Sequence, residues 1–359
     1  MKKRLFRLFC CVIALISLCS CDTTRVKRTF ITKDKITQTS VVKKSNAIEQ
    51  EQYNNFFADF KKSFVIPGLY EGIIPQGFCY DENTGWFLIT GYYEKDKFPS
   101  MIMAVDSKNG KFVGASPLKT IDGDDFYGHV GGIGTSQNTI YISTDFECLT
   151  IPISSLHDVK NGEPLQFQGK FKVNSTASFL TVHNDILWIG DFIRSRDKER
   201  EEVEYVFTLP SGETFYAFCE GYKREDGLPS VNNINSDSTG YIPDMILAIP
   251  EQVQGIALTK TDKILFSTSY GRKKDSKLYI YEDVLISEKS GTRKIDGKEV
   301  DLYACSSENL IEEITAPPLA EDMAIHPDAI YIHFEAGAKK YRNGGCKYSL
   351  DTAYKTKIE

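Results

Sequence analysis

The sequence predicts an all-β protein: a β-propeller of five blades, closed into a ring by an N-terminal strand. Three observations carry that prediction. From about Phe64 onward, short runs rich in Tyr, Phe, Ile and Val are punctuated by Gly, Asn and Asp, the pattern of strands bounded by turns. Sustained helical periodicity is absent. The third is a series: five strand-like runs at 86–90 (WFLIT), 139–143 (TIYIS), 186–190 (ILWIG), 263–267 (KILFS) and 329–333 (AIYIH) each follow, after a turn, a run that opens on a polar residue among small neighbours.

Those openings are Pro75-Gln76-Gly77, Gly128-His129-Val130-Gly131-Gly132, Thr176-Ala177-Ser178, Val253-Gln254-Gly255 and Ala320-Glu321-Asp322. From Gln76 to His129, Ser178, Gln254 and Glu321 the steps are 53, 49, 76 and 67 residues, the length of a repeat of about four strands. The first strand of each blade would line the channel, where Gly77, Gly131, Gly132 and Gly255 leave room. The longer steps are absorbed by insertions at 195–204 and 283–300. The last repeat is short, so residues 63–67 are expected to supply its outermost strand and remove a free sheet edge. A six-bladed count follows instead if 207–250 holds a degenerate blade.

The N-terminus reads as an address. Lys2, Lys3, Arg4 and Arg7 precede an apolar run at 8–18, about half the twenty residues a bilayer span needs, which is the form of a signal peptide. The run ends in Leu18-Cys19-Ser20-Cys21, which resembles a bacterial lipobox. That resemblance implies a signal peptide over 1–21, a diacylated Cys21 as first residue of the mature chain, and a lipid-anchored protein on the extracytoplasmic face of the membrane. The other reading is an ordinary secretory signal cleaved near Ser20, with Cys21 a plain thiol. Residues 22–55, with seven bases against four acids and no apolar periodicity, read as a flexible tether, either solvated or lying on anionic headgroups; the propeller would occupy 56–359. The chain carries a formal charge of −6, and its leader holds bases only, so the remainder is more acidic still and nucleic acid is excluded as a partner. Cys79, Cys148, Cys219, Cys305 and Cys346 show no CxxC spacing, which speaks against a thiolate metal centre and leaves disulfide pairing open.

The motifs Pro75-Gln76-Gly77, His129-Val130-Gly131-Gly132, Pro250-Glu251-Gln252-Val253-Gln254-Gly255-Ile256-Ala257 and Phe334-Glu335-Ala336-Gly337-Ala338-Lys339-Lys340-Tyr341 resemble those of uncharacterised secreted propeller-like lipoproteins of Gram-positive bacteria. Asp322 departs from that pattern, which has Gly after the Glu. The resemblance implies export and a propeller; a broader similarity to strictosidine-synthase-like and lactonase-like propellers concerns architecture alone.

One position of the repeat therefore carries Gln76, His129, Ser178, Gln254 and Glu321, which a propeller would gather at one channel mouth. Such a ring could support channel water, bind a small or extended polar ligand, or carry out hydrolase or lyase chemistry with His129 and Glu321 as acid and base. Glu321 beside His129 is expected to raise the imidazole pKa. Arg272 and Glu335 follow the second strands of the last two blades and could bind ligand or brace the blades as an ion pair; Tyr92 sits at the corresponding place in the first blade and could form an aromatic wall. No cofactor is predicted, a divalent metal between His129 and Glu321 being the minor alternative; Asp122-Gly123-Asp124-Asp125 lacks the closing Glu of a calcium loop and reads as a turn. A scaffold that holds an envelope protein on the propeller rim is the third function class.

Overall fold

In a computed structural model, residues 36–94, 98–194, 206–261 and 263–357 are described; the signal segment with Cys21, and the insertion at 195–204, lie outside them. Among the described residues twenty-six strands follow one another with only short helices between.

After helix α1 (Asn54–Asp59) come β1 (Lys61–Val65), β2 (Ile73–Asp81), β3 (Trp86–Tyr93), β4 (Met101–Asp106), β5 (Phe112–Lys119), β6 (Gly132–Thr135), β7 (Thr139–Thr144) and β8 (Glu147–Pro152). Helix α2 (Leu156–Asn161) leads to β9 (Leu165–Gln166), β10 (Gly169–Lys172), β11 (Phe179–His183), β12 (Ile186–Gly190), β13 (Phe207–Thr208), β14 (Thr214–Phe215), β15 (Ala217–Glu225), β16 (Leu228–Pro229) and β17 (Met245–Ile249). The rest are β18 (Val253–Leu258), β19 (Lys263–Thr268), β20 (Ser276–Glu282), β21 (Gly291–Ile295), β22 (Lys298–Ala304), β23 (Leu310–Ala316), β24 (Ala320–His326), β25 (Ala329–Phe334), helix α3 (Lys339–Arg342) and β26 (Thr352–Lys357).

The sheets form a β-propeller. Four have the size of a blade, in the orders β2-β3-β4-β5-β9, β10-β8-β7-β6, β18-β19-β20-β23 and β1-β26-β25-β24. The fifth set of strands grows to a seven-stranded sheet, β11-β12-β15-β17-β22-β21 with β16 beside β15. The expectation of five uniform blades is thus corrected: four regular blades stand beside this enlarged sheet. The six-blade count fails too, because within 207–250 β15 and β17 join the enlarged sheet and only the pair β13-β14 stands apart. The insertion at 283–300 contributes to this as well. It crosses back from the following repeat, and β22 pairs in parallel with β17, Met245 opposite Asp301.

Blades packed on both faces explain why the second strands are continuously apolar rather than alternating. In β3, Phe87 and Ile89 pack with Phe64 and Tyr331, whereas Leu88 between them packs with Ile133 and Ile140 of the next sheet. The same alternation sends Ile140 and Ile142 to one neighbour and Tyr141 to the other. Near the axis the inner strands approach to backbone contact: a Cβ on Gly77 would lie 2.5 Å from the Gly132 carbonyl carbon.

The N-terminal strand β1 runs antiparallel to β26, with Lys61 opposite Lys355 and Val65 opposite Thr352. What precedes it is seated too. Phe56 is fully buried and stacks on Phe60 while meeting Phe334 edge-on. The backbone N–H groups of Val41 and Val42 and the Ser40 hydroxyl all donate to Oδ2 of Asp351, at 2.7–2.8 Å. The part of the expected tether from residue 36 onward is therefore anchored to the propeller, and residues 22–35 lie outside the described residues.

Candidate functional site

Three of the inner strands break register at the polar position. The pairing slips between Pro75 and Phe78 in β2, between Val253 and Gly255 in β18 and between Ala320 and Met323 in β24. A bulge of this kind frees backbone groups and re-aims a side chain, and here it falls on Gln76, Gln254 and Glu321. In β2 the freed amide is that of Phe78, and Oδ2 of Asp322 accepts it at 2.8 Å, while Oδ1 accepts the N–H of Met323 at 2.8 Å. Asp322 thus ties the last inner strand to the first. The space it needs comes from Gly255, where a Cβ would fall 2.7 Å from the Asp322 Cα.

Gln76 is the hub of the mouth. Its Oε1 accepts from Nε2 of His129 at 2.5 Å, and its Nε2 donates to Oε2 of Glu335 at 3.1 Å and to the Pro75 carbonyl at 2.8 Å. Its own carbonyl accepts from Nε2 of His333 at 2.5 Å. Tyr92 meets the His129 ring edge-on at 5.2 Å, and the Lys340 ammonium stands 5.2 Å from the Tyr341 ring centre and 6.0 Å from that of Tyr92. Tyr341 also hydrogen-bonds Glu335.

Two carboxyls lie buried in this cluster, Glu321 at 2% exposure and Glu335 at 6%. Oε2 of Glu321 has no hydrogen-bond partner among the described residues. Burial raises its pKa well above the carboxylate range, and the charges of Glu335 and Asp322 raise it further. Glu335 is pushed up to about 7 by burial, held back by its hydrogen bonds from Tyr341 and Gln76 and by the charges of Lys340 and Arg272. At neutral pH the pair therefore retains a proton.

The other expected members divide. His129 does not follow the expectation of a raised pKa: desolvation lowers it, Asp145 opposes and Lys340 adds to the lowering. Its hydrogen bond runs to Gln76, and among the described residues no group of three or more ligating side chains could hold a metal. Ser178 turns to a local contact, its Oγ 2.9 Å from Oγ1 of Thr176. Gln254, half-buried, shares no hydrogen bond with the cluster among the described residues. Arg272 does not form the expected ion pair with Glu335. It donates to the Gly344 carbonyl at 2.9 Å and lies 5.5 Å from the Tyr341 ring centre, acting on Glu335 as a nearby charge.

Sequence reasoning missed His333. It stands opposite the bulge in the last blade, where Thr90, Ser143, Gly190 and Ser267 stand in the others. All four side chains at this position are fully buried, and Thr90 donates across to the Val130 carbonyl at 2.8 Å. The polar residue closing four of the five runs, all but the one that ends in Gly190, was the available signal. Cys79, Cys148, Cys219, Cys305 and Cys346 are free thiols.

No protein-family model matches the sequence, and no curated protein does. Solved structures of similar fold include the glutaminyl cyclase of Myxococcus xanthus, at TM-score 0.43 and 9% identity over 84% of this chain and 97% of that one. The PQQ-bound aldose sugar dehydrogenase of Streptomyces coelicolor aligns at TM-score 0.43 and 12% identity over 84% and 98%. At such identities the likeness concerns fold alone.

Proposed function

We propose that the protein is an exported propeller, held at the outer face of a membrane by lipid on Cys21, that binds a small polar ligand at the mouth formed by Gln76, His129, Glu321 and Glu335. One observation supports the binding reading above the others: Oε2 of Glu321 is buried, without a partner among the described residues, beside a second buried carboxyl. An unpaired buried polar atom costs about 1–3 kcal/mol, and a ligand N–H or O–H placed there offsets that cost. Tyr92 and Tyr341 supply flat walls for the same ligand. Thermal shift with amines, short peptides and sugars, run on the wild type and on Glu321→Gln, tests it. A ligand that stabilises both proteins equally at every pH would assign binding to another surface.

A second reading, a hydrolase or lyase at this mouth, is favoured by Glu335, whose pKa of about 7 suits a general acid or base at neutral pH. Turnover that disappears in Glu335→Gln while ligand binding persists would select the enzyme. Export and anchoring rest on the leader at 1–21; labelled fatty acid incorporated by the wild type and absent from Cys21→Ser is the expected outcome, and equal labelling would refute anchoring at that residue.

A further inference from the structure

The ring of inner strands has a second end, and a cavity lies there. Counting along β2 from Gln76 to Asp81, the strand advances by about 3.3 Å per residue, so the two mouths are roughly 15 Å apart. At the far end the ends of the inner strands and their turns surround a cavity of about 640 Å³, within the 300–1,000 Å³ range of small-molecule sites. None of the cluster around Glu321 lines it.

Arg224 is the fixed point of this cavity. Its side chain is only 7% exposed, yet its Nε is buried with no hydrogen-bond partner among the described residues. Nη1 donates to the Tyr141 hydroxyl and Nη2 to Oδ1 of Asp185, both at a long 3.3 Å, and Asp185 itself is 95% exposed. A guanidinium this buried is ordinarily matched by a close, shared carboxylate; Arg224 has instead this one long ion pair with an exposed partner and the Tyr141 ring 5.7 Å away.

The charge around it decides the class of occupant. Arg224 and Lys260 face the acids Asp81, Glu82, Asp185 and Asp226. Asp81 is committed to its own turn, accepting from the backbone N–H and hydroxyl of Thr84 at 2.9 and 2.6 Å. An anion meets an excess of acids at the rim, and a cation meets the buried guanidinium. Between them the walls are neutral donors and acceptors, Thr135, Ser136, Asn138 and Asn184 among them. Uncharged, closely spaced hydroxyls satisfy such a surface, donating to the acids and amides and accepting from Arg224 and Asn138. We propose that this far end of the channel is a second binding site, for an uncharged saccharide of two or three rings, with Arg224 as its central donor.

The site is independent of the ligand mouth proposed above, and the test keeps the two apart. The full-length chain, in a detergent without sugar headgroups, is titrated calorimetrically with cellotriose, maltotriose, mannotriose and chitotriose. Binding of at least one of these is expected, weakened tenfold or more in Arg224→Lys and in Asn138→Ala, and unchanged in Glu321→Gln. The exposed Asn138 carries the comparison if Arg224→Lys melts early. Heat from none of the four, or binding that is lost in Glu321→Gln and kept in the two far-end variants, would overturn the proposal. So would inorganic phosphate or citrate displacing the bound sugar at equimolar concentration.

Discussion

Asp322 and Gly255 form a matched pair, and each has a testable consequence. Asp322→Ala leaves the buried N–H of Phe78 without its acceptor, which costs about 1–3 kcal/mol; Asp322→Asn keeps an acceptor oxygen and should recover part of that loss in urea unfolding. Equal losses would mean that the contact is incidental. The buried acids predict a pH profile. Glu335 and Glu321 hold their protons more tightly folded than unfolded, so the folded state binds more protons and stability falls as pH rises from the unfolded value near 4.5 through about 7. His333, lowered to about 4, has the opposite sign and makes stability rise between about 4 and its unfolded value near 6.5. Above pH 6.5 the imidazole contribution is spent, and the buried carboxyls, Asp322 among them, are joined toward pH 8.5 by the thiols of Cys79, Cys148, Cys219 and Cys305, whose pKa burial raises. The wild type should therefore melt lower at pH 8.5 than at pH 6.5, and the double variant Glu321→Gln, Glu335→Gln should lose part of that slope, with Asp322 and the buried thiols keeping the rest; an unchanged slope would show that Glu321 and Glu335 do not contribute to it.

Among the elements, the approach segment at 36–60 carries more than its composition suggests. Phe56 is enclosed by aromatic rings from two other strands, and Phe56→Ala should cost about 3–5 kcal/mol. In limited proteolysis of the native protein, cleavage is expected before residue 36 and not between 41 and 60; early cuts inside that stretch would mean its contacts are weak. The strand β1 covers an edge of the last sheet just as β9 and β22 cover those of two others. A chain begun after residue 70 should melt lower than one begun at residue 61, since it leaves β26 as an unpaired edge.

At the scale of the molecule, the repeat places one position of each inner strand at one mouth and a later position at the other, which is why a single channel can offer two chemically different ends. The mouth at Glu321 holds buried acids in a tight hydrogen-bonded cluster; the end at Arg224 is open and mixed in charge. Ligands for one should leave the other unaffected.

The series of apolar runs and polar openings was enough by itself to predict strands, a propeller and a polar mouth, because each of those follows from local periodicity repeated along the chain. The enlarged sheet was not legible, since the return of β22 to β17 depends on where a distant segment finds an open edge. The seat of residues 36–60 was hidden for a related reason: a handful of aromatic and polar anchors, Phe56 and the partners of Asp351, do their work in a stretch whose composition is that of a spacer. Nor could spacing say which polar residues would join. Gln76, His129 and Glu335 meet, while Ser178 turns to Thr176 and Arg272 to Gly344, because side-chain partnership is settled by bulges and close approach between strands far apart in sequence. Only the tertiary structure leaves Glu321 buried beside Glu335, and only there does the buried guanidinium of Arg224 come to line a cavity.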